Sequence, residues 1–367
     1  MTAVDPGIDL ERIVSLAEFE SFALDTMDPG AFDYIAGGAW DEQSLDEAEA
    51  AWRRRRLRPR VLVDVGHVDP STTMAGMRVP LPVAIAPMAA HGLAHPDAEI
   101  ATARAAAASG VPFTLSTMST ASIEAVAAAA PDGVRWFQLY AQADPRRSRS
   151  FVERAAAAGY RAIVLTVDLP VLGYRERDLR SGFDLSVQHG NFAADVGPDH
   201  ASHGGDPTGG YDMIEGDLER GLTWADLAAI RRWSSLPLIL KGILTAEDAR
   251  LAVEHGVDGI VVSNHGARQL DRTVATADAL EPIVAAVGGR MEIWVDGGIR
   301  RGLDVVTAVA LGARGVLVGR PILWALAAAG QTGVERALTI LRTETVIAMT
   351  LLGAPTVAHL ERRHVAD

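Results

Sequence analysis

The chain has 367 residues, of which 49% are hydrophobic, and its formal net charge at pH 7 is -13. This composition is too apolar for a disordered protein, and the acidic balance argues against nucleic acid as a main partner, because a phosphate backbone binds basic surfaces. The sequence has no cysteine, which excludes disulfides, iron–sulfur clusters, zinc thiolate sites and cysteine nucleophiles, and we expect no metal site.

The sequence lacks the patterns of export and of membrane insertion. Its first residues, MTAVDPGIDLERIVSL, carry early acids and no long apolar core, so we expect no secretory signal. No stretch reaches the roughly 18 to 20 uninterrupted apolar residues that cross a bilayer. We therefore expect a cytoplasmic protein without a membrane partner.

Short apolar runs alternate with Ala-rich helical stretches along most of the chain. Eight runs are predicted strands: VAIAP (83–87), FTLS (113–116), WFQLY (136–140), AIVLTVD (162–168), LILKG (238–242), GIVVSNH (259–265), EIWVDGG (292–298) and GVLVGR (315–320). Apolar strands that alternate with helices are typical of a parallel sheet covered by helices. Eight such units predict an α/β protein with a closed (β/α)8 TIM barrel. The alternative is an open Rossmann-like sheet, but no G-x-G-x-x-G motif opens a helix after the first strand.

Two segments fall outside this repeat. Residues 1–80 precede the first predicted strand, and we expect them to form a cap at the lower end of the barrel. Residues 180–220 are rich in Gly, His and Asp and follow the fourth strand, and a loop of this length is typical of a mobile lid. We expect residues 1–367 to form a single domain.

Every predicted strand ends in small or polar residues. In this fold the carboxyl ends of the strands meet at the rim that carries the active site, so these residues predict one functional site. They are Pro87, Met88, Ala89, Ser116, Gln138, Tyr140, Thr166, Asp168, Lys241, Ser263, His265, Arg268, Asp296, Gly298, Arg300, Gly319 and Arg320.

The last two strands predict an anion site. The motifs DGGIRRG (296–302) and VGRP (318–321) place glycines and arginines where barrels of this kind bind phosphate, with backbone N–H groups and guanidinium forks as donors. The alternative is two turn glycines with solvated arginines. Lys241 follows a core strand and needs an anion or a carbonyl-rich ligand; its alternative is a salt bridge to a neighbouring carboxylate.

His265 is a candidate base because its ordinary pKa lies near neutrality. Asp168, at the end of another strand, is the candidate partner that orients the imidazole and raises its pKa. The alternative is a core histidine with satisfied hydrogen bonds.

Six motifs resemble the FMN-dependent 2-hydroxy acid oxidases and dehydrogenases, which include glycolate oxidase, lactate oxidase and mandelate dehydrogenase. The motifs are FQLY (137–140), TVDLPVLGYRERDLR (166–180), LKGILTAEDARLA (240–252), SNHGARQLD (263–271), DGGIRRG and VGRP. The resemblance extends from about Asp33 to near the C-terminus. It implies a (β/α)8 barrel that binds FMN at the rim, oxidises an (S)-2-hydroxy acid to the 2-oxo acid and forms a homotetramer.

The resemblance also implies a role for each residue of the site. His265 would be the base, paired with Asp168, and Tyr140 would bond the hydroxyl oxygen of the substrate. Arg175 and Arg268 would bind the substrate carboxylate, helped by Tyr34. The implied FMN-binding residues are Pro87, Ala89, Ser116, Gln138, Thr166, Lys241, Ser263, Asp296, Gly298, Arg300, Gly319 and Arg320. The source of the proton that the base takes, Cα or the hydroxyl group, stays open.

Three positions bear on substrate and electron acceptor. Met118 stands where glycolate oxidases carry a Trp, and Met88 replaces a small polar residue, so we expect a mandelate-like or aliphatic substrate that is larger or more apolar than glycolate. Ala89 favours an oxidase, in which O2 re-oxidises the flavin and gives H2O2. The nearest alternative is a dehydrogenase that passes electrons to a quinone or a protein. A non-redox phosphate-binding barrel and a small-molecule binding protein are further alternatives, against which the base and the arginines argue.

Overall fold

The computed structural model describes residues 8–183, 189–192 and 218–366, and the centre of this part is a closed barrel of eight parallel strands. The described residues form ten strands, of which the first two make a separate antiparallel hairpin: β1 (Thr72–Met74), β2 (Met77–Val79), β3 (Val83–Ile85), β4 (Phe113–Leu115), β5 (Arg135–Leu139), β6 (Ile163–Thr166), β7 (Leu238–Ile243), β8 (Gly259–Val262), β9 (Glu292–Val295) and β10 (Gly315–Val318). Strands β3 to β10 pair in chain order, and β10 closes the barrel against β3. The prediction of a (β/α)8 barrel is confirmed.

Helices surround the barrel and precede it. They are α1 (Glu18–Thr26), α2 (Pro29–Ala36), α3 (Gln43–Arg54), α4 (Ala98–Ser109), α5 (Ile123–Ala129), α6 (Pro145–Ala157), α7 (Glu176–Ser181), α8 (Leu227–Arg231), α9 (Ala246–Glu254), α10 (Thr276–Val287), α11 (Gly302–Ala310) and α12 (Arg320–Leu352). In the described part of the chain, no helix is long and apolar enough to cross a membrane.

Local sequence explains where several helices begin and end. The side chains of Ser122 and Thr245 accept hydrogen bonds from backbone N–H groups in the first turns of α5 and α9. Gly110 and Gly288 follow α4 and α10 in the left-handed conformation, which glycine adopts without a steric penalty. Because the barrel strands are all parallel, their carboxyl ends meet at the same rim.

The interior of the barrel is filled with apolar side chains. The rings of Trp136 and Trp294 lie 5.6 Å apart, and both side chains are fully buried. A Cβ atom on Gly259 would lie 2.4 Å from the Trp294 ring, so the packing of this ring requires glycine there. Met74 and Val79 of the β1–β2 hairpin join the same cluster. This apolar layer closes the lower end of the barrel.

The N-terminal segment does more than cap the lower end, which corrects our expectation. The β1–β2 hairpin is at that end, since the backbone N–H of Ala75 donates to the carboxylate of Glu292, the first residue of β9. Helix α2 instead reaches the opposite rim, where Tyr34 and Ile35 line the cavity described below. The physical reason is that buried arginines of the rim need acceptors, and backbone carbonyls at the end of α2 supply them.

The predicted lid lies largely outside the described residues, which leave out 184–188 and 193–217. Helix α7 contains the start of the predicted segment, and residues 189–192 are packed against the barrel. The lid therefore stays a prediction.

Candidate active site

The carboxyl ends of the barrel strands open into one cavity, whose empty volume is about 1290 Å³ including its mouth. Most predicted site residues line it, and these are Tyr34, Pro87, Met88, Ala89, Met118, Tyr140, Arg175, Lys241, His265, Arg268, Asp296, Gly298, Arg300, Gly319 and Arg320. The others are hydrogen-bonded to one another or to residues that line it, and these are Ser116, Gln138, Thr166, Asp168 and Ser263.

His265 is held by contacts on both ring nitrogens. Its Nδ1–H donates to Asp168 Oδ1 at 2.8 Å, and the hydroxyl oxygen of Tyr140 lies 3.2 Å from Nε2. The backbone of His265 is in the left-handed region, with φ of +58°, and its N–H donates to Ser263 Oγ at 3.1 Å. Because a carboxylate only accepts hydrogen bonds, the proton of the neutral ring is on Nδ1 and the lone pair is on Nε2. Nε2 is therefore the nitrogen that takes up a proton.

The charge states of this pair suit a base. Burial lowers the pKa of His265 below its ordinary value; the charge of Asp168 raises it, and that of Lys241 lowers it further. Asp168 thus raises the pKa of His265, as predicted, but burial lowers this pKa by more, so the net change is a decrease. Burial acts to raise the pKa of Asp168, yet the charges of His265 and Lys241 hold it below its usual range. At neutral pH a neutral imidazole lies beside a carboxylate, which is the state of a general base.

A register shift between β7 and β8 lies beside the end of β6, where Asp168 follows that strand. The pairing of β7 with β8 shifts between Lys241 and Ile243, and Gly242 between them has a φ of +113°. A Cβ on Gly242 would lie 2.5 Å from Cβ and Cγ of Asp168, so a side chain there would displace the carboxylate. Glycine at this position therefore lets Asp168 reach the imidazole.

Lys241 is a buried cation with two partners. Its Nζ donates to Ser263 Oγ at 2.8 Å and lies 3.3 Å from Asp296 Oδ2. Burial acts to lower the pKa of Lys241, but the charges of Asp296 and Asp168 raise it by more. The salt bridge that we considered as an alternative is thus present, and the ammonium group also lines the cavity. Asp296 Oδ1 is buried and has no hydrogen-bond donor among the residues that the structure describes.

Four arginines converge on the cavity: Arg175, Arg268, Arg300 and Arg320. The Arg268 guanidinium donates to the carbonyl oxygens of Tyr34 at 2.5 Å and Gly37 at 2.9 Å. The Arg320 guanidinium donates to those of Ile35 at 2.9 Å and Gly37 at 2.8 Å. The end of α2 therefore fixes both side chains with carbonyl oxygens, which are neutral acceptors and do not themselves cancel a positive charge.

The arginines repel one another. Burial lowers the pKa of Arg320, and the nearby charges of Arg268 and Arg300 lower it further. Arg300 pairs with Glu49 at 3.0 Å and is only 16% exposed, so the alternative of solvated arginines does not hold for Arg300, although it does for Arg301, which is 49% exposed. Buried cations in such a cluster are stabilised when an anion binds between them.

The glycines of the two motifs have distinct surroundings. Gly297 and Gly298 have φ of +85° and +74°, and a Cβ on Gly298 would lie 2.2 Å from the carbonyl oxygen of Ala48 in α3. Packing alone thus requires glycine at position 298. This agrees with the alternative in which the glycines of the motif serve a turn. Gly319 precedes α12, which begins at Arg320. The second residue of α12 is a proline, which has no N–H, so the donor for an anion at this helix start is the guanidinium of Arg320.

Behind the cavity, polar side chains connect β4, β5 and β6. Ser116 Oγ donates to Gln138 Oε1 at 3.2 Å, and Gln138 Nε2 donates to Thr166 Oγ1 at 2.9 Å. The backbone N–H of Met118 donates to Ser116 Oγ at 3.1 Å. All these side chains are buried. Their implied role of binding the flavin ring stays a prediction.

Apolar side chains make up part of the cavity lining, and we call this part the apolar wall. Met88 and Met118 line it as predicted, and so do Leu169, Leu172 and Phe183, which the sequence alone does not identify. The Phe183 ring lies 5.8 Å from the ring of Tyr34. These apolar residues are in loops whose local pattern gives no sign that they approach the site. The wall suits a ligand with an apolar group.

Known proteins match nearly the whole chain. The model of the FMN-dependent dehydrogenase family matches residues 23–367. The chain is 45% identical to glycolate oxidase 1 of Zea mays over 358 residues, which are 96% of each protein. It is 47% identical to L-lactate oxidase of Nostoc sp. over 345 residues, 93% of this chain and 94% of the relative. The crystal structure of mandelate oxidase with (S)-4-hydroxymandelic acid has a TM-score of 0.91 and 45% identity, and covers 96% of this chain and 98% of that one. The chain therefore belongs to the FMN-dependent dehydrogenase family, together with these 2-hydroxy acid oxidases.

Proposed function

We propose that this protein uses FMN to oxidise an (S)-2-hydroxy acid with an apolar side chain to the 2-oxo acid, with O2 as electron acceptor and H2O2 as product. The observation that carries the proposal is the neutral imidazole of His265, bonded to Asp168 and Tyr140, in the cavity that Arg175 and Arg268 also line. A base and two cations in one cavity are what the oxidation of a hydroxy acid requires.

The cavity fits FMN at its cation-rich end. Arg300 and Arg320 would hold the phosphate, since their guanidinium groups supply forked donors. The unpartnered Oδ1 of Asp296 would accept from a hydroxyl of the ribityl chain. Lys241 would place positive charge beside the ring. Bound FMN would supply the two-electron acceptor that the oxidation needs, and O2 would be the final acceptor.

Arg175 and Arg268 would bind the substrate carboxylate. The Arg268 guanidinium lies over the Tyr34 ring at 4.8 Å from its centroid, and that of Arg175 lies at 5.9 Å. The Nε–H of Arg175 donates to the backbone carbonyl oxygen of Arg268 at 3.3 Å, which ties the Arg175 side chain to the backbone of Arg268. The planar fork of each guanidinium matches a carboxylate better than an ammonium group does.

His265 would take a proton from the bound substrate. Its Nε2 holds the lone pair, and the carboxylate of Asp168 stabilises the imidazolium that forms. Burial raises the pKa of Tyr140, and the charge of Asp168 raises it further, so the phenol keeps its proton and donates to an oxygen. Tyr140 would thus bond the hydroxyl oxygen of the substrate as that oxygen becomes a ketone.

The side chain of the substrate would contact the apolar wall. Met88, Met118, Leu172 and Phe183 offer no charge to a polar group there. A solved relative is a mandelate oxidase in complex with (S)-4-hydroxymandelic acid, which supports an aromatic substrate. The relatives that are glycolate and L-lactate oxidases support O2 as acceptor.

A screen with holoenzyme tests the proposal. Glycolate, (S)-lactate, (S)-2-hydroxyoctanoate and (S)-mandelate are compared at constant O2, with H2O2 as readout and (R)-mandelate as stereochemical control. We expect kcat/KM for mandelate or hydroxyoctanoate to exceed that for glycolate by about tenfold or more, because each apolar contact favours the larger side chain. If the flavin is bleached by substrate but re-oxidised only slowly by air, the acceptor is a quinone or protein instead. If no hydroxy acid bleaches the flavin, the proposal is wrong.

A further inference from the structure

Residues 189–192 are bound to the loop that follows β4. This loop, residues 116–122, contains Met118 of the apolar wall and leads into α5. The backbone N–H of Gly190 donates to the carbonyl oxygen of Ser119 at 3.0 Å. A Cβ on Gly190 would lie 2.6 Å from backbone atoms of the loop, so the two segments are in direct contact.

Asn191 makes most of the contacts between these segments and is fully buried. Its Nδ2 donates to the carbonyl oxygens of Ser116 at 3.2 Å and Thr117 at 3.0 Å, and to Ser119 Oγ at 3.0 Å. Its Oδ1 accepts from the backbone N–H of Ile123 at 2.9 Å. The amide both donates and accepts in this arrangement, whereas a carboxylate has no N–H and an aliphatic side chain has neither group.

The contacts converge on Met118. Its carbonyl oxygen accepts from the backbone N–H of Ala90 at 3.0 Å and lies 3.1 Å from Nδ1 of His189. Burial lowers the pKa of His189, so the ring is neutral and donates its Nδ1–H to this carbonyl. The N–H of Met118 is held by Ser116 Oγ, which leaves little freedom to the backbone that presents the side chain.

Glu99 holds the same loop from the other side. This carboxylate is fully buried at the start of α4, and it accepts from the backbone N–H groups of His91, Thr120 and Ala121 at distances of 2.9 to 3.0 Å. The loops after β3 and β4 are thereby tied together, and they carry Met88 and Met118. Two buried polar side chains that do not line the cavity, Glu99 and Asn191, thus hold the backbone of the loops that carry these two methionines.

We infer that Asn191 is a positioning residue, which sets the shape of the apolar wall by fixing the backbone around Met118. The inference rests on the proposed function, because the wall matters only if an apolar substrate group lies against it. Asn191 itself contacts neither the cavity nor the residues of the base. Its substitution should therefore change the recognition of large side chains more than the chemistry at His265.

Asn191→Asp tests the inference, because it keeps the size of the side chain but places a carboxylate against two carbonyl oxygens. Asn191→Ser, which adds no charge, provides the same test if the first variant does not fold. Thr345→Val is the matched control, since it removes one buried hydrogen bond within α12 without changing the shape of the side chain. All proteins are studied at saturating FMN.

Three quantities are measured: KM and kcat for (S)-mandelate and (S)-lactate, and the Kd of benzoate from the change in the visible flavin band. In the Asn191 variants we expect KM for mandelate and Kd of benzoate to rise about tenfold, with smaller changes in KM for lactate and in kcat. Thr345→Val should melt earlier and keep the ratio of the two KM values.

Two other outcomes are informative. If the Asn191 variants melt earlier but keep both the ratio of KM values and the benzoate Kd, Asn191 is merely structural and the inference is wrong. If the wild type oxidises no hydroxy acid, the proposed function fails, and an unchanged benzoate Kd in the variants then overturns the inference independently.

Discussion

Ile239 and Lys241 are two residues apart on β7, and their side chains point to the same interior of the barrel, yet their surroundings are opposite. Ile239 is fully buried among apolar residues that include Trp136 and Trp294. Lys241 is 4% exposed and contacts Ser263 and Asp296 at the floor of the cavity. We call the surroundings of Ile239 the lower layer and those of Lys241 the upper layer. Because burying apolar surface is favourable and burying charge is costly, the lower layer serves stability and the upper layer serves binding. Substitutions in the two layers should therefore separate the two properties.

The largest expected effect is in the upper layer, at the base. His265→Gln removes the nitrogen that accepts the proton and keeps a polar group of similar size. We expect kcat for the best hydroxy acid to fall about a thousandfold, as the loss of a general base does, and the variant to bind FMN. Turnover by H2O2 release and the visible spectrum of the purified variant measure both. A variant that keeps wild-type kcat would show that another group takes the proton.

The second largest effect is expected on stability, from a substitution in the lower layer. Ile239→Ala leaves a cavity beneath the rim and should lower the free energy of unfolding by about 3 kcal/mol, because methyl groups are lost and the packing relaxes only in part. We expect KM and kcat at 25 °C to stay at wild-type values. Urea unfolding of the holoenzyme and steady-state kinetics are the measurements. If kcat falls as steeply as stability, the two layers are coupled, and the comparison between them does not hold.

A third pair of substitutions compares two arginines at opposite ends of β10 in their effect on FMN affinity. Arg320 follows β10 and lines the cavity, whereas the exposed Arg314 precedes the same strand at the lower end. Arg320→Ala should weaken FMN binding about 10- to 100-fold, because charged hydrogen bonds to a phosphate are lost. Arg314→Ala removes the same charge and should leave the affinity unchanged. FMN fluorescence quenching measures both, and equal losses would mean that net charge, rather than a site at the rim, attracts FMN.

Local sequence predicts the lower layer and the strand ends well. Apolar runs identify the strands, and the closed barrel follows from their number, so the sequence alone places Lys241, His265 and Arg320 at one rim. The glycine and arginine motifs that follow β9 and β10 predict an anion site, because they place donors at the ends of these two strands. These signals are carried by residues adjacent in sequence.

Contacts between distant segments leave no such local signal. The approach of α2 to Arg268 and Arg320 joins residues more than 230 positions apart, and no periodicity reports it. The pKa of His265 depends on how deeply the ring is buried, which the sequence does not state. Asn191 lies in a polar segment without a pattern, and its role depends on four partners that only the fold brings together.

The smallest expected effect is a displacement of the pH profile, and it tests the electrostatics of the upper layer. The imidazole of His265 must be neutral to accept a proton, so kcat/KM should be lost as pH falls through its pKa in the free enzyme. Burial holds this pKa below its ordinary value, and the activity should therefore persist below the pH at which a solvent-exposed histidine becomes charged. Measurements of kcat/KM against pH give the position of this acid limb.

Asp168→Asn should move the acid limb to still lower pH. The negative charge of Asp168 opposes the effects of burial and of Lys241 on His265, so its removal leaves those two effects uncompensated and lowers the pKa of His265 further. The plateau of kcat/KM should also fall, because the imidazolium formed during turnover loses its partner. General damage to the site would lower the plateau without moving the limb. A limb that moves to higher pH would mean that burial does not control this imidazole, and that the charges of the rim are more exposed to water than their packing indicates.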